Sequence, residues 1–155
     1  MLIPFLRALL VALVLSCSTS LAMAQSVGSV IRVTPGATLE RSGQVVSLRE
    51  GQTLASGDVI STDRRGKVQL LFTDETRIAV GPNSSLSIDD IRLRKNGKAR
   101  QFAASAVARG LRFLSGTSAR SAYKIGTPTA TMGIRGTAFD FVVRESRGTD
   151  LVVFS

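Results

Sequence analysis

The chain of 155 residues contains no histidine and no tryptophan, and its one cysteine, Cys17, lies near the N-terminus. These absences exclude the Ser-His-Asp and Cys-His nucleophile systems, and zinc sites built from imidazole and thiolate. Aromatic residues make up only 5% of the chain, but the 44% of apolar residues exceeds what a disordered chain carries. A folded core without disulfides is therefore expected, and any catalysis would depend on carboxylate, lysine or tyrosine chemistry.

Carboxylate catalysis of the glycosidase type needs two carboxyl groups about 5 to 9 Å apart. Most candidates lie in turn segments, where aspartate is favoured because its side chain caps the backbone. Asp74-Glu75 is accordingly interpreted as the tip of a turn, not as an acid and base. The candidates are Asp58, Asp63, Asp74, Glu75, Asp89, Asp90 and Asp140. No stretch has the alternating oxygen ligands of a calcium loop, so we expect no enzyme activity, no metal and no cofactor.

The first 24 residues are typical of a signal peptide. Arg7 gives a positive start, Ala8 to Leu15 is an unbroken apolar run, and Ala22-Met23-Ala24 has the small residues that signal peptidase reads. The apolar run has about half of the ~20 residues of a membrane-spanning helix, and no later segment comes near that length. Cleavage after Ala24, a periplasmic or secreted location and no transmembrane segment in the mature chain are therefore expected. A lipoprotein acylated at Cys17 is the less favoured alternative, because Leu15 fits the lipoprotein pattern poorly.

The chain is strongly basic, with 20 lysine and arginine residues against 11 aspartate and glutamate residues and a formal net charge of +9. The densest basic cluster surrounds the Asn96-Gly97 turn and consists of Arg92, Arg94, Lys95, Lys98 and Arg100. Around a hairpin tip, several of these side chains could form one patch for an anionic envelope ligand or an acidic partner. The alternative is a solvated hairpin tip without a binding role. Nucleic acid is not expected as a partner, because the chain is exported and lacks tryptophan for base stacking.

Turn signals recur about every eight to twelve residues from Val27 to Phe154, with short β-branched or aromatic runs between them, which is the pattern of an all-β domain. The alternating apolar residues of 67–72 return in 77–80 after a four-residue turn, and this predicts a hairpin. Leu86 and Ile88 are at even positions but Ile91 and Leu93 are at odd positions, so a regular strand would place the two pairs on opposite faces. A bulge is therefore predicted at Asp89-Asp90, which would bring both pairs to the same face.

The segment from Gln101 to Arg109 is ambiguous. Its alanines favour a helix by propensity, whereas the alternation of apolar positions from Phe102 to Ala108 is typical of a strand. Its length does not decide between them. A strand is preferred because the apolar run Leu111 to Leu114 follows directly after Gly110.

The segment from Gly126 to Thr137 combines three glycines, one proline and four threonines. This composition predicts a tight chain path in which Gly133 and Gly136 adopt special dihedral angles or lie against another backbone segment. Arg135 between them could brace neighbouring loops by donating to their carbonyl groups.

Three stretches in this order and spacing resemble the FecR family, named for the ferric-citrate uptake regulator. The first is Gly51 to Thr62, and the second runs from Gly66 through Asp74-Glu75 to Ser84. The third is Thr127 to Thr137, and the resemblance covers roughly Ser26 to Val143. The motif residues that it assigns to structure are Gly57, Asp58, Thr127, Pro128, Gly133, Arg135, Gly136 and Thr137.

The resemblance implies a periplasmic all-β domain over residues 25–155, solenoid-like or built as a twisted sheet, that acts by protein contact without catalysis. Signalling members of the family carry a sigma-factor-binding region and a membrane helix ahead of this domain, where this chain has a signal peptide, so direct control of a sigma factor is not expected. Asp74-Glu75 stands where relatives commonly have Asp-Gly, which predicts a different turn type. The apolar segment from Leu151 to Phe154 either completes the sheet or marks a chain shortened at its C-terminal end relative to its relatives.

These inferences favour an exported binding or signalling module whose partner is an envelope protein, either a receptor or a sensor. The alternative is an envelope-polymer or surface-attachment module that binds an anionic ligand through the basic hairpin.

Overall fold

The computed structural model describes residues 25–128, 131–134, 138–144 and 148–154. Within them the chain is all-β, as predicted, with one short 3-10 helix, Arg120–Ala122. The strands are β1 (Gly28–Thr34), β2 (Ala37–Arg41), β3 (Gln44–Ser47), β4 (Thr53–Leu54), β5 (Val59–Thr62), β6 (Lys67–Phe72), β7 (Arg77–Val80), β8 (Ser84–Leu93), β9 (Ala99–Val107), β10 (Leu111–Leu114), β11 (Tyr123–Gly126), β12 (Thr131–Gly133), β13 (Ala138–Arg144) and β14 (Gly148–Phe154).

The strands form two seven-stranded sheets. The first sheet has the order β14-β13-β10-β7-β6-β1-β4, and the second has the order β12-β11-β9-β8-β5-β2-β3. The chain passes repeatedly from one sheet to the other, and beyond β4 each return adds strands on the same side. Both sheets therefore extend in the same direction along the sequence, which agrees with the solenoid-like course that the resemblance implies.

The core lies between the two sheets, because alternate residues of each strand point to the same face. Four rings meet there, namely Phe72 and Phe113 from the first sheet and Phe102 and Tyr123 from the second. Their centroids are 4.9 to 6.0 Å apart, and three of the four pairs meet edge to face. Such contacts add about 0.5 to 1.5 kcal/mol per pair to the burial of apolar area.

The local predictions for the middle of the chain are confirmed. Strands β6 and β7 form the expected antiparallel hairpin. The register of β8 against β9 shifts between Ile88 and Asp90, so Asp89 is the extra residue of the predicted bulge. The ambiguous segment is a strand, β9, and its alternating positions from Phe102 to Ala108 are buried.

The interpretation of Gly133 as a constrained position is wrong. This residue lies in the edge strand β12, its φ is not positive, and no atom of the described residues lies within 4 Å of where its Cβ would stand. An edge position leaves room for a side chain, which explains the difference. Arg135, Gly136 and Thr137 lie outside the described residues. In the β6–β7 turn, Glu75 has a φ of 69°, the left-handed conformation that glycine adopts most cheaply. Whether this turn differs in type from the Asp-Gly turn of relatives stays a prediction.

Candidate functional site

The basic hairpin, Arg92 to Arg100, is the tip of the β8–β9 hairpin. Its turn is closed by the Arg94 amide, which donates to the Lys98 carbonyl at 2.8 Å, and by the Gly97 amide, which donates to the Arg94 carbonyl at 3.0 Å. Gly97 has a φ of 78°, so the sequence supplies glycine where the backbone is left-handed. Leu93 packs against the core and Ala99 is buried, whereas all five basic side chains of the hairpin are exposed.

The five basic side chains differ in their partners. The Arg92 Nε lies 3.0 Å from the Asp90 Oδ2, and the same carboxylate accepts a hydrogen bond from the side-chain amide of Gln101 at 3.0 Å. The charge of Arg92 is therefore largely compensated. The other four, Arg94, Lys95, Lys98 and Arg100, form no ion pair with any carboxylate in the described part of the chain.

Two of these unpaired cations, Arg94 and Lys98, line a cleft of about 350 Å³. Asn96 and Ala99 complete the hairpin side of the cleft, and the loop Thr117 to Ala119 forms the facing wall. Arg92, Lys95 and Arg100 are not among the residues that line it. Of the five residues that the sequence singled out, the structure thus brings two together in a concave site.

The loop wall of this cleft is fixed by a buried carboxylate, Asp74, whose side chain is only 1% exposed. Its Oδ2 accepts hydrogen bonds from the Ser118 hydroxyl at 2.7 Å and the Tyr123 hydroxyl at 2.8 Å. Its backbone carbonyl accepts from the Thr117 amide at 2.7 Å. The Ser118 Oγ in turn accepts from the Ala99 amide at 2.6 Å, so Asp74 ties the loop to the hairpin.

Tyr123 and Gly116 complete this buried network. The Gly116 amide donates to the Thr76 and Tyr123 hydroxyl oxygens, at 3.1 and 3.2 Å. Burial raises the pKa of the Tyr123 hydroxyl, and the neighbouring Asp74 carboxyl contributes to the rise. Tyr123 is therefore a protonated donor at neutral pH and supports the cleft instead of acting as a base.

Sequence reasoning placed Asp74 at a turn tip and missed its burial. The turn assignment itself is correct, because the Asp74 Oδ1 accepts from the Thr76 amide at 3.1 Å and so caps the turn. A signal for burial was present in the alternation, since Phe72, Asp74, Thr76 and Ile78 share one parity and all four are buried. The exposed neighbour, Glu75, has the opposite parity.

The Gly57-Asp58 motif forms a second internal anchor. Asp58 is fully buried, and the partly exposed Arg41 donates to both of its oxygens, from Nε at 2.7 Å and from Nη2 at 2.6 Å. This bidentate pair raises the pKa of the Arg41 guanidinium. Gly57 has a φ of 91° and donates its amide to the Ile88 carbonyl at 2.7 Å, so the motif joins β2, the turn before β5 and β8. Thr127 and Pro128, from the third stretch, directly follow β11 and lie outside the cleft lining.

Asp63 fulfils the capping role that sequence analysis gave to turn aspartates. Its Oδ1 accepts from the amides of Arg65 at 2.7 Å and Gly66 at 2.8 Å, and these hydrogen bonds lower the pKa of the carboxyl. In the described part of the chain, no group of three or more histidine, cysteine, aspartate or glutamate residues is arranged to hold a metal ion.

The family model described as FecR protein matches residues 58–155, which include the basic hairpin, Asp74 and the cleft loop. The chain belongs to the FecR family. FecR domains are regulatory and non-enzymatic, are typically periplasmic, and generally act with sensor or receptor partners. The match begins at Asp58, so Gly51 to Gly57 of the first resembling stretch lie outside it. Comparison with curated proteins and with solved structures gave no significant match. A helix long and apolar enough to span a membrane is not found among the described residues of this FecR protein.

Proposed function

We propose that this FecR protein is an exported regulatory module that binds an acidic surface of an envelope protein, a receptor or a sensor, without catalysis. The observation that carries the proposal is the cleft in which Arg94 and Lys98 stand without a counter-charge from the described residues, facing a loop held by buried Asp74. The family's regulatory character supports the same conclusion.

The cleft suits a carboxylate of the partner for two reasons. Charge-assisted hydrogen bonds contribute about 1.5 to 3 kcal/mol each, roughly twice the value of neutral ones. The hairpin and the loop are already joined through the Ser118 hydroxyl, so less ordering entropy is lost when a ligand enters. The buried carboxylates Asp58 and Asp74 are occupied with internal hydrogen bonds. The proposal therefore gives them a structural role.

The double substitution Arg94→Ser and Lys98→Ser is expected to weaken binding of a short fluorescent peptide of glutamates by about a hundredfold or more, since two charged hydrogen bonds worth about 1.5 kcal/mol or more each are lost. Fluorescence anisotropy at physiological and at high salt measures this, and added salt should weaken binding by the parent. The matched control is Lys95→Ser with Arg100→Ser, which removes the same charge from the same hairpin outside the cleft. Unchanged affinity in the Arg94 and Lys98 variant would remove the cleft from the proposal.

The alternative, attachment to an anionic envelope polymer through the basic hairpin, predicts a different pattern. A flexible polyanion follows the whole charged surface, so Lys95 and Arg100 should then matter as much as Arg94 and Lys98. Equal losses in both double variants, together with retention of glycan by the parent protein, would favour attachment. Co-purification of a receptor or sensor from the cell envelope would favour regulation by protein contact.

Export through a cleavable signal peptide is part of the same proposal. The Ala22-Met23-Ala24 motif predicts that the protein recovered from the envelope or the medium begins at Gln25. Intact-mass measurement checks this expectation. A diacylated Cys17 at the N-terminus, or retention of residues 1–24, would contradict it.

A further inference from the structure

In the described part of the chain, strand β3 is an edge of the second sheet that no other strand covers. All four of its residues are exposed, and Val45 and Val46 retain 62% and 47% of their accessible surface. Natural edge strands are usually guarded by charge, proline or a bulge, because a free edge pairs readily with another strand. The strand Gln44–Ser47 contains neither charge nor proline, and its pairing with β2 is regular. It also lies outside the residues that match the family model.

The free backbone groups of β3 follow from the turn that precedes it. Ser42 and Gly43 have φ values of 52° and 79°, as in a two-residue type I′ hairpin turn. In such a hairpin every second residue of the strand is hydrogen-bonded, so Gln44 and Val46 exchange hydrogen bonds with β2. The next residue in this series, Leu48, follows the same pattern, because its amide donates to the Ala37 carbonyl at 3.0 Å. The N–H and C=O groups of Val45 and Ser47 therefore point away from the sheet.

The distribution of charge along the chain indicates which kind of partner this edge strand can bind. Residues 25–62 contain three arginines and three acidic residues, so the part of the chain that carries β3 is neutral. The whole positive excess of the chain after residue 24 lies in residues 63–155. An acidic partner is drawn to the basic part, whereas two copies of this chain repel each other least at β3.

We propose that β3 pairs with β3 of a second copy of the chain, antiparallel about a two-fold axis at Val46. In this register the outward N–H and C=O groups of Val45 form hydrogen bonds with those of Ser47 in the other copy. The two-fold axis generates the same bonds between Ser47 of the first copy and Val45 of the second. Val46 then stands opposite Val46 of the second copy, at the short distance of a non-hydrogen-bonded pair. The second sheets of the two copies then form one continuous sheet across the dimer.

The contact is small, so the dimer is weak. Stable interfaces bury about 1,200 to 2,000 Å², and a four-residue strand buries less. Because each copy carries a net positive charge, salt screens their repulsion and strengthens the dimer. Salt has the opposite effect on the acidic peptide in the cleft, so self-association and ligand binding are separable by measurement.

Sedimentation equilibrium of the purified protein tests the proposal. The parent is expected to dimerise with rising concentration, and Val46→Lys to abolish the dimer because two lysines would face each other across the axis. The control is Val107→Lys on β9, where another exposed valine lies away from the edge, and this variant should retain the dimer. Ser47→Pro is a second test, since it removes an outward N–H and leaves the bonds to β2 in place.

Amide hydrogen exchange locates the contact independently. The amides of Gln44 and Val46 should be protected at every concentration, and those of Val45 and Ser47 only where the dimer forms. A parent that stays monomeric at all concentrations would overturn the proposal. Retention of the dimer by both Val46→Lys and Ser47→Pro would overturn it as well.

Discussion

Replacement of Gly116 by alanine is expected to lower the free energy of unfolding by about 3 kcal/mol, the upper end of overpacking effects. An added Cβ would overlap the carbonyl oxygen of Asp74 and the amide nitrogen of Thr76. Both atoms belong to backbone that is held by further hydrogen bonds, including the 2.7 Å bond from the Thr117 amide to the Asp74 carbonyl. Neither can withdraw without breaking the network, and the shift of the denaturant midpoint measures the cost.

Gly133→Ala is the matched control for this substitution. Among the described residues, nothing lies within 4 Å of the added Cβ, and the backbone is not left-handed, so the change should stay within about 0.5 kcal/mol. Equal destabilisation of the two variants would show that the close approach at Gly116 does not determine the result.

Asp74→Ala should destabilise the fold by about 3 to 5 kcal/mol, because several buried donors lose their acceptor at once and each costs about 1 to 3 kcal/mol. The donors are the Ser118 and Tyr123 hydroxyls and the Thr76 amide. The exposed neighbour supplies the control, and Glu75→Ala should change stability by about 0.5 kcal/mol or less. Chemical denaturation of both variants gives the comparison.

A double-mutant cycle distinguishes the network from simple loss of volume. If the Asp74 carboxylate and the Tyr123 hydroxyl act together, Asp74→Ala combined with Tyr123→Phe should cost less than the sum of the two single changes. Strict additivity would mean that the 2.8 Å contact contributes little and that the cavity accounts for the effect.

The alternation of apolar and polar residues predicted the strands correctly where a strand pairs with a neighbour that is close in sequence. The β6–β7 hairpin, the bulge at Asp89 and strand β9 are such cases, because each depends on neighbours within about 20 residues. The buried network at Asp74 depends instead on Ser118 and Tyr123, which are 44 and 49 residues away. The alternation of the sequence placed Asp74 on the buried face of its strand pair, but it could not identify these two partners.

The candidate site also depends on contacts between segments that are distant in sequence. The sequence identified the basic cluster, but it could not distinguish Arg92, whose charge is compensated by Asp90, from Arg94 and Lys98 in the cleft. That distinction depends on where the loop Thr117 to Ala119 packs. Glycines are ambiguous for a related reason: Gly116 and Gly133 look alike in sequence, and only the distance to a second backbone segment separates them.

The alternation of the chain between the two sheets has a consequence for how such domains grow. Each interior strand bonds to two neighbours in its own sheet and packs on the opposite sheet, so stability is close to a sum of local terms. Strands can then be appended at an end without rearranging the middle. Residues 25–57 fit this description, because β1 and β2 lie on β6 and β5 and extend both sheets beyond the family-matched residues 58–155. The pairings of β5 with β8 and of β6 with β7 do not involve this end, so its outer edge, β3, can vary without a change in their register.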